Sequence, residues 1–191
     1  MQLILASTSP FRKAILDKLG VNFETASPET DETAQKDETP QQLVERLSIA
    51  KAKAIADKVE NALVIGSDQV SVINGEIIGK PHTHENAVKQ LQNASGKTVT
   101  FYTGLCLYNS STKEYQSDVV PFNVIFRKLT KEQIENYLKK EEPYNCAGSF
   151  KSEALGIVLF EKLEGDDPNT LMGLPLIRLV KMLEQEKYFI L

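Results

Sequence analysis

The stretch VIGSDQVSVINGEIIGKP, residues 64–81, determines how we interpret the rest of the chain. Its apolar opening is typical of a buried strand. Gly66 and Ser67 interrupt this apolar run, and the apolar pattern resumes at Val70. Asn74-Gly75 is the strongest two-residue signal for a β-hairpin. The stretch therefore predicts a strand, a tight turn and an antiparallel return.

Two charged side chains stand out in this pattern. Asp68 comes where the strand should leave the core, and Lys80 follows the return of the hairpin. If the two face a shared cleft, they suit a substrate that carries phosphate and a metal ion. The alternative is an Asp in a turn and a Lys on the surface, and the pattern alone leaves both open.

Composition limits the class of protein. With 191 residues, of which 41% are hydrophobic, the chain can bury one substantial core, and we predict a single domain over residues 1–191. The net charge of -4 argues against a general binder of nucleic acid or acidic membranes, and no apolar run approaches the roughly 20 residues of a membrane span. Cys106 and Cys146 lack metal-site spacing, so we expect reduced thiols in a cytoplasmic protein.

The beginning of the chain predicts an anion site. Residues 2–6 are expected to form a strand, and Ser9 is placed to cap a helix with Pro10 at its first position. Free backbone N–H groups at that helix end would gather with the side chains of Ser7, Ser9 and Arg12, a combination that favours phosphate. An ordinary helix cap is the alternative.

Residues 27–39 are rich in Pro, Asp, Glu and Thr and predict a polar loop. Its carboxylates could bind a metal ion, since hard cations prefer carboxylate oxygens, or they could be solvated. The candidates are Glu29, Asp31 and Glu32. A long helix is then predicted from Thr39-Pro40 to about Lys58, with Arg46, Lys51 and Lys53 as cations along it.

The remainder predicts further strands and helices. They are a helix capped by Thr83, two long strands over residues 98–108 and 116–127, a helix opened by a capping box at Thr130 and stopped by Pro143, a last strand over residues 157–163 and a final helix through Leu183. Residues 145–153 predict a loop of small residues that holds Lys151 and Glu153. His82 and His84 lack a third ligand, which favours a loop over a metal site.

The glycine motifs that cradle phosphates are missing. Gly96-Lys97-Thr98 has the ending of a Walker sequence, but Leu91 stands where the first glycine is required. No Gly-x-Gly-x-x-Gly follows the first strand. The sequence therefore excludes a P-loop enzyme and a dinucleotide-binding fold.

Several short motifs occur together and in order along nearly the whole chain. They are Ser7-x-Ser9-Pro10-x-Arg12, Arg46-Leu47-x-x-x-Lys51-Ala52, Gly66-Ser67-Asp68-Gln69-Val70, Gly79-Lys80-Pro81, Thr103-Gly104, Ala147-Gly148-Ser149-Phe150-Lys151-Ser152-Glu153 and Gly173-Leu174-Pro175-Leu176. In this combination the chain resembles the Maf family of nucleoside triphosphate pyrophosphatases. It is most similar to the YceF-type branch, which is associated with hydrolysis of 7-methyl-GTP; the pointers are Phe11, Gln69 and Glu153.

The resemblance implies an α/β fold with a mixed, curved β-sheet flanked by helices and two lobes around a cleft, similar to inosine triphosphate pyrophosphatases. It implies cleavage between the α and β phosphates to a nucleoside monophosphate and pyrophosphate, with a divalent cation such as Mg²⁺, Mn²⁺ or Co²⁺. Asp68 carries over as the proton acceptor, and with Glu32 of the acidic loop it forms our candidate pair of metal ligands. The implied phosphate contacts are Ser7, Ser9, Arg12, Lys51, Lys80 and Lys151.

The chemistry of the expected substrate assigns further roles. We expect Asp68 to stay ionised at neutral pH, because neighbouring positive charge favours the carboxylate. Methylation at N7 makes guanine cationic, so the face of Phe11 would attract it, while Glu153 would accept hydrogen bonds from the base and Gln69 would add an amide. The chain departs from the branch at Phe11, where Trp is frequent, and at Ala154, where Gly is usual.

Two other functions are left open. One is a regulator of cell division that binds a nucleotide without cleaving it. The other is a pyrophosphatase for damaged purine or for pyrimidine triphosphates. In each case the expected partner is a small nucleotide, with neither nucleic acid nor membrane, and a homodimer is left open.

Overall fold

The computed structural model describes all 191 residues, which form seven strands and five α-helices. They are β1 (Gln2–Ala6), α1 (Pro10–Asp17), β2 (Glu24–Ala26), α2 (Pro40–Ala56), β3 (Ala62–Ile73), β4 (Glu76–Ile78), α3 (His84–Ala94), β5 (Thr98–Asn109), β6 (Tyr115–Phe126), α4 (Lys131–Glu141), β7 (Phe160–Glu164) and α5 (Leu176–Gln185). Short 3₁₀ turns occur at Ala147–Ser149, Leu155–Leu159 and Pro168–Met172.

The strands form one sheet in the order β2-β1-β3-β5-β6-β7, with β4 paired to β3. β1 runs parallel to both β2 and β3, whereas β3 with β4 and β6 with β7 are antiparallel pairs. The sheet is therefore mixed, as the resemblance implied. No helix of this protein is both long enough and apolar enough to cross a membrane.

The chain divides into two compact units. The first comprises residues 1–69, 102–120 and 167–191, and the second comprises residues 70–101 and 121–166. Strands β3, β5 and β6 each contribute residues to both units.

In the first unit, helices cover both faces of the sheet because alternate residues of β1 point to opposite sides. Leu3 and Leu5 belong to a core with residues of α1 and α5. Ile4 and Ala6 belong to a second core with residues of α2. Both faces of β1 are thus buried, which explains its continuous apolar sequence.

Helix α2 lies directly on the sheet because two strand residues beneath it have no side chain. A Cβ at Gly66 would overlap the carbonyl oxygen of Ser48, and a Cβ at Gly104 would overlap that of Val44. We expected the strand to leave the core at Asp68, and this is wrong, because β3 continues to Ile73 and Asp68 is buried within it. Gly66 and Ser67 interrupt the apolar run, but β3 continues through both residues. The glycine permits close packing here instead of ending the strand.

We expect Gly66→Ala to destabilise the fold by about 3 kcal/mol, the upper range for overpacking a core, because backbone atoms of α2 cannot move aside independently. Urea unfolding measures this loss. Gly79→Ala, which meets no atom within 4 Å, is the matched control and should unfold like the wild type. Equal stability of the two variants would show that α2 can shift at little cost.

The second unit contains the predicted hairpin and helices α3 and α4. Asn74 and Gly75 both have positive φ, at 51° and 85°, as a two-residue hairpin turn requires. Thr83 caps α3, and Thr130 forms the predicted capping box of α4. Four phenylalanines pack edge to face in its core: Phe101, Phe126, Phe150 and Phe160.

One predicted strand of this unit is only partly correct. Residues 157–163 were expected to form it, but Leu155–Leu159 is a 3₁₀ turn and β7 begins at Phe160. Ile157 and Val158 are exposed, so the apolar run is not buried as a strand would be. Short apolar runs do not distinguish strand from helix by periodicity alone.

Candidate active site

Lys51 joins two carboxylates in the first unit. Its Nζ lies 2.6 Å from Oδ1 of Asp68 and 2.7 Å from Oε1 of Glu32. The side chains of Lys51 in α2 and Asp68 in β3 are only 9% and 12% exposed, whereas that of Glu32 is 61% exposed. The close seating of α2 on the sheet therefore creates a buried ion pair, to which the acidic loop adds a solvent-facing third member.

Burial raises the pKa of Asp68 above its ordinary value, because the ionised carboxylate loses hydration. The charges of Lys51 and Arg12 oppose this effect, and the charge of Glu32 adds to it. We expected Asp68 to stay ionised at neutral pH because cations surround it; the cations do favour the carboxylate, but burial outweighs them in the direction of the pKa shift. A carboxyl group whose pKa moves toward neutral pH is a stronger general base than an ordinary Asp.

This shift predicts a pH-dependent contribution to stability. Folded Asp68 holds its proton more tightly than the unfolded chain does, so its contribution to the free energy of unfolding is largest below pH ~3.9 and falls as the pH rises through the raised pKa. Asp68→Asn removes this titration. The stability of the variant relative to the wild type should therefore increase as the pH rises above about 4, measured by urea unfolding with EDTA. A difference that is independent of pH, or has the opposite slope, would contradict the shift.

Arg12, in the first turn of α1, is held by the chain that follows the last 3₁₀ turn. Its Nε donates a hydrogen bond to the carbonyl oxygen of Gly173 at 2.9 Å, and the Ser67 hydroxyl lies 2.8 Å from the same oxygen. Gly173 has a φ of 97°, and a Cβ there would lie 3.2 Å from Arg12 Nε, so both backbone and space favour glycine. Burial lowers the pKa of Arg12, while the charges of Asp68 and Glu32 raise it.

Ser7 and Ser9 form the turn between β1 and α1. Ser7 Oγ accepts a hydrogen bond from the backbone N–H of Ser9 at 3.1 Å, and Ser9 Oγ accepts one from that of Arg12 at 3.4 Å. Neither hydroxyl donates a hydrogen bond within the first unit. The cap predicted for Ser9 is confirmed, and both O–H groups still have a proton to offer an anion.

Arg46 ties the acidic loop to α2. It donates to the two carboxylate oxygens of Glu38 at 2.6 and 2.8 Å and to the carbonyl oxygen of Thr33 at 3.1 Å. The hydrogen bond from Arg46 lowers the pKa of Glu38 to about 2. Thr33 directly follows Glu32, so this arrangement holds Glu32 within reach of Lys51.

Of the three carboxylates considered as metal ligands in this loop, Glu32 contacts a cation of the site. Asp31 is exposed and accepts a hydrogen bond from the backbone N–H of Thr33 at 2.9 Å. Glu29 is exposed as well. All three carboxylates are therefore largely solvated, and Glu32 alone among them contacts Lys51.

Gln69 is engaged through its amide nitrogen. Nε2 donates to Thr103 Oγ1 and to the carbonyl oxygen of Thr170, both at 2.8 Å, and Thr103 Oγ1 donates to that carbonyl at 3.1 Å. Within the first unit, Gln69 Oε1 has no partner. Any contact of Gln69 with a base would therefore be as an acceptor through Oε1, rather than through both ends of the amide.

Phe11 is the other residue of the first unit that was predicted to contact the base. It is the second residue of α1, next to Arg12, and its side chain is 47% exposed. A large apolar ring that is about half exposed is suited to stacking on a flat ligand.

The second unit holds the other predicted contacts. Lys80 is exposed, and so is Glu153, whose Oε2 accepts a hydrogen bond from Ser152 Oγ at 3.3 Å. Lys151 Nζ donates to the carbonyl oxygen of Glu141 at 2.7 Å, at the end of α4. A cation at a helix C-terminus is favourable, so Lys151 has a partner of its own in this structure.

A model of the Maf-like protein family matches residues 2–186. This chain belongs to the Maf-like protein family. It is 62% identical over 183 residues, 96% of this chain and 92% of the relative, to a 7-methyl-GTP pyrophosphatase from Colwellia psychrerythraea strain 34H. Among solved structures it is similar in fold to the Ham1 protein of Staphylococcus aureus, with a TM-score of 0.55 and 15% identity over 97% of this chain and all of that one.

The donor atoms of this Maf-like protein fit a hard divalent cation. Asp68 and Glu32 each direct one carboxylate oxygen at the same nitrogen of Lys51, so the two carboxylates already converge on a positive charge. No group of three or more His, Cys, Asp or Glu residues could hold a metal ion. Mg²⁺ is typically bound by one or two carboxylates, with phosphate and water completing its shell, so this pair suffices.

Sequence reasoning missed two positioning contacts in the Maf-like site. The Ser67 hydroxyl, also 2.9 Å from the carbonyl oxygen of Gly104, links β3 to the chain near Arg12, and Glu38 is the partner of Arg46. Ser67 follows a glycine and resembled part of a turn, and Glu38 resembled one more solvated acid. No local pattern distinguishes such residues, because their partners are distant or in a loop without regular structure.

Proposed function

We propose that this protein hydrolyses 7-methyl-GTP to 7-methyl-GMP and pyrophosphate with the help of a divalent cation. The observation that supports the reaction is the buried Asp68 carboxylate, with its raised pKa, held between cationic side chains. The relative that is 62% identical and is named a 7-methyl-GTP pyrophosphatase supports the choice of substrate. Both cysteines are free thiols, which is typical of the cytoplasm, where we place this activity.

Asp68 is the proposed proton acceptor for the attacking water. Its carboxylate, on strand β3, accepts a hydrogen bond from Lys51 through Oδ1. The other oxygen, Oδ2, is left to orient a water molecule. Desolvation raises the pKa of this group, which increases its basicity. The water must attack the α phosphorus for pyrophosphate to leave, so the α phosphate is the one placed next to Asp68.

Charge on the departing pyrophosphate is neutralised by cations of the first unit. Arg12 is anchored through Nε to Gly173, so its terminal nitrogens can bind phosphate oxygens in a fixed direction. Lys51 has a third proton beyond those that bind Asp68 and Glu32, and the hydroxyls of Ser7 and Ser9 add neutral donors. Preorganised donors of this kind are typically a large part of catalysis.

A divalent cation would be bound by Asp68 and Glu32 and would polarise the phosphate and lower the pKa of water. Arg46 supports this role from a distance, because it fixes the loop that carries Glu32. Glu32 is mostly exposed and Asp68 is buried, so the two carboxylates differ in their access to solvent.

Selection of the base is assigned to Phe11, Glu153 and Gln69. The exposed ring of Phe11 attracts the cationic face of 7-methylguanine, an interaction of about 0.5–2 kcal/mol. The exposed carboxylate of Glu153 accepts the two N–H groups on the Watson–Crick edge of guanine. Gln69 adds an acceptor through Oε1, because its nitrogen is engaged.

A product assay tests the proposal. Purified protein receives equal concentrations of 7-methyl-GTP, GTP, dTTP, UTP, CTP and ITP with Mg²⁺, Mn²⁺ or Co²⁺, and the products are separated. Monophosphate and pyrophosphate, formed fastest from 7-methyl-GTP, are expected.

Each other outcome rejects a distinct part of the proposal. Faster cleavage of dTTP or UTP would retain the chemistry and overturn the base assignment. Diphosphate with phosphate would place the attack on the wrong phosphorus. Tight binding without turnover would instead support a nucleotide-binding regulator. Full activity with EDTA would remove the cation from the proposal.

A further inference from the structure

Gln90 of α3 contacts two segments of the second unit that carry the predicted substrate contacts. Its Nε2 donates a hydrogen bond to the carbonyl oxygen of Gly79 at 3.1 Å, and its Oε1 accepts one from Ser149 Oγ at 2.5 Å. Gly79 directly precedes Lys80. Ser149 lies two residues before Lys151 in the loop that also carries Glu153, and we call residues 147–153 the late loop.

The late loop needs such support because its backbone is strained. Gly148 and Ser149 both have positive φ, at 76° and 63°, and the second is a residue with a Cβ. A non-glycine residue in this conformation persists only when its surroundings hold it there. Ser149 is fully buried, and its hydrogen bond to Gln90 fixes the side chain on one side, while the next residue, Phe150, packs in the aromatic core.

A backbone hydrogen bond also joins the two segments, so Gln90 provides one of two connections between them. The backbone N–H of His82 donates to the carbonyl oxygen of Tyr144 at 3.0 Å. This backbone contact limits the separation of the segments at one end, and Gln90 sets it at the end nearer Lys80 and Lys151. Two connections fix the relative orientation of the two segments as well as their separation.

Charged side chains of both segments act on the thiol of Cys146. Burial raises the pKa of the Cys146 thiol; Glu153 adds to this shift, and Lys151 and Lys80 oppose it. One thiol therefore lies within the field of all three predicted substrate contacts. Their mutual spacing is a property of the second unit that Gln90 can control.

We propose that Gln90 is a positioning residue that sets the spacing between Lys80 and the late loop and thereby determines the preference for the base. This inference rests on the proposed function, in which Glu153 contacts the base, and on the sequence prediction that Lys80 and Lys151 bind phosphate. Gln90 itself need not touch the substrate. Its two hydrogen bonds hold a cation that binds phosphate and a carboxylate that reads the base at a fixed distance.

The test compares Gln90→Leu with Gln92→Leu, a matched change of an exposed glutamine on the same helix. For each variant we measure kcat and KM with 7-methyl-GTP and GTP, the binding constants of both nucleotides by calorimetry, and the melting temperature. Ser149→Ala and Gln90→Glu dissect the two bonds, because the first removes only the bond to Ser149 and the second keeps it while losing the donor to Gly79.

We expect Gln90→Leu to raise KM for 7-methyl-GTP about five- to tenfold and to lower its preference over GTP by a similar factor, as for one or two lost hydrogen bonds. The kcat value should change little, because Asp68 is not altered. Each single-bond variant should show part of the effect, and Gln92→Leu should match the wild type.

Loss of stability alone would overturn the inference. If Gln90→Leu lowers the melting temperature but leaves the ratio of binding constants for 7-methyl-GTP and GTP unchanged, Gln90 is only structural. If the wild type prefers another triphosphate, the proposed substrate is wrong, and the ratio between that triphosphate and GTP then decides the role of Gln90. If the wild type cleaves no triphosphate, the ratio of the binding constants for 7-methyl-GTP and GTP, measured by calorimetry, decides the role of Gln90.

Discussion

Asp68→Asn is expected to lower kcat for triphosphate hydrolysis by about 10²–10⁴-fold, the usual contribution of a general base. Asparagine keeps the size of the side chain and can still accept a hydrogen bond from Lys51, but it cannot accept the proton of a water molecule. The binding constant of 7-methyl-GTP, measured by calorimetry with EDTA, should change much less than kcat.

The chain offers a matched control for this variant. Asp57 pairs with Lys53 at 2.6 Å, the same distance as the pair of Asp68 with Lys51, but the Asp57 side chain is 47% exposed. Asp57→Asn should therefore retain full activity. Turnover of Asp68→Asn at more than a tenth of the wild-type rate would exclude Asp68 as the base.

Lys51→Met is expected to reduce the free energy of unfolding by about 3–5 kcal/mol, because it leaves the buried Asp68 without its ion-pair partner. The same change should lower kcat about 10²–10³-fold, as for the loss of one preorganised donor to developing charge. Urea unfolding with EDTA measures the first effect and steady-state kinetics the second.

A double variant separates the loss of the ion pair from the loss of packing. Lys51→Met with Asp68→Asn removes the uncompensated charge, so it should recover much of the stability lost in Lys51→Met alone. Lys53→Met, at the exposed pair on the same helix, should unfold like the wild type. If the double variant is no more stable than Lys51→Met, the carboxylate of Asp68 is not the source of the loss.

Local signals in the sequence predicted much of the fold. The Ser9, Thr83 and Thr130 caps and the Asn74-Gly75 turn depend on residues within four positions of one another, and each is confirmed. The role of Gly66 could not be predicted, because the reason for a glycine there lies in α2, eighteen residues earlier at Ser48. A glycine has the same appearance in a sequence whether it ends a strand or admits a helix.

The candidate site was predicted only in part, for the same reason. The motifs pointed to Asp68 and Lys51, and the structure brings these two together with Glu32 and Arg12. The direction of the pKa shift of Asp68 could not be predicted, because it depends on burial by elements distant in sequence. The engaged amide nitrogen of Gln69 likewise depends on a carbonyl oxygen 101 residues away.

The glycines beneath α2 also bear on how this protein can change over evolutionary time. Elsewhere in the core, one apolar side chain can replace another of similar volume at modest cost. At Gly66 and Gly104 the strand backbone lies directly against the backbone of α2, so there is no room for even a methyl side chain. Most side chains of the interior could therefore change by neutral drift while Lys51 and Asp68 keep their positions relative to each other. These positions are set by contacts between main-chain atoms, which do not change when side chains are replaced.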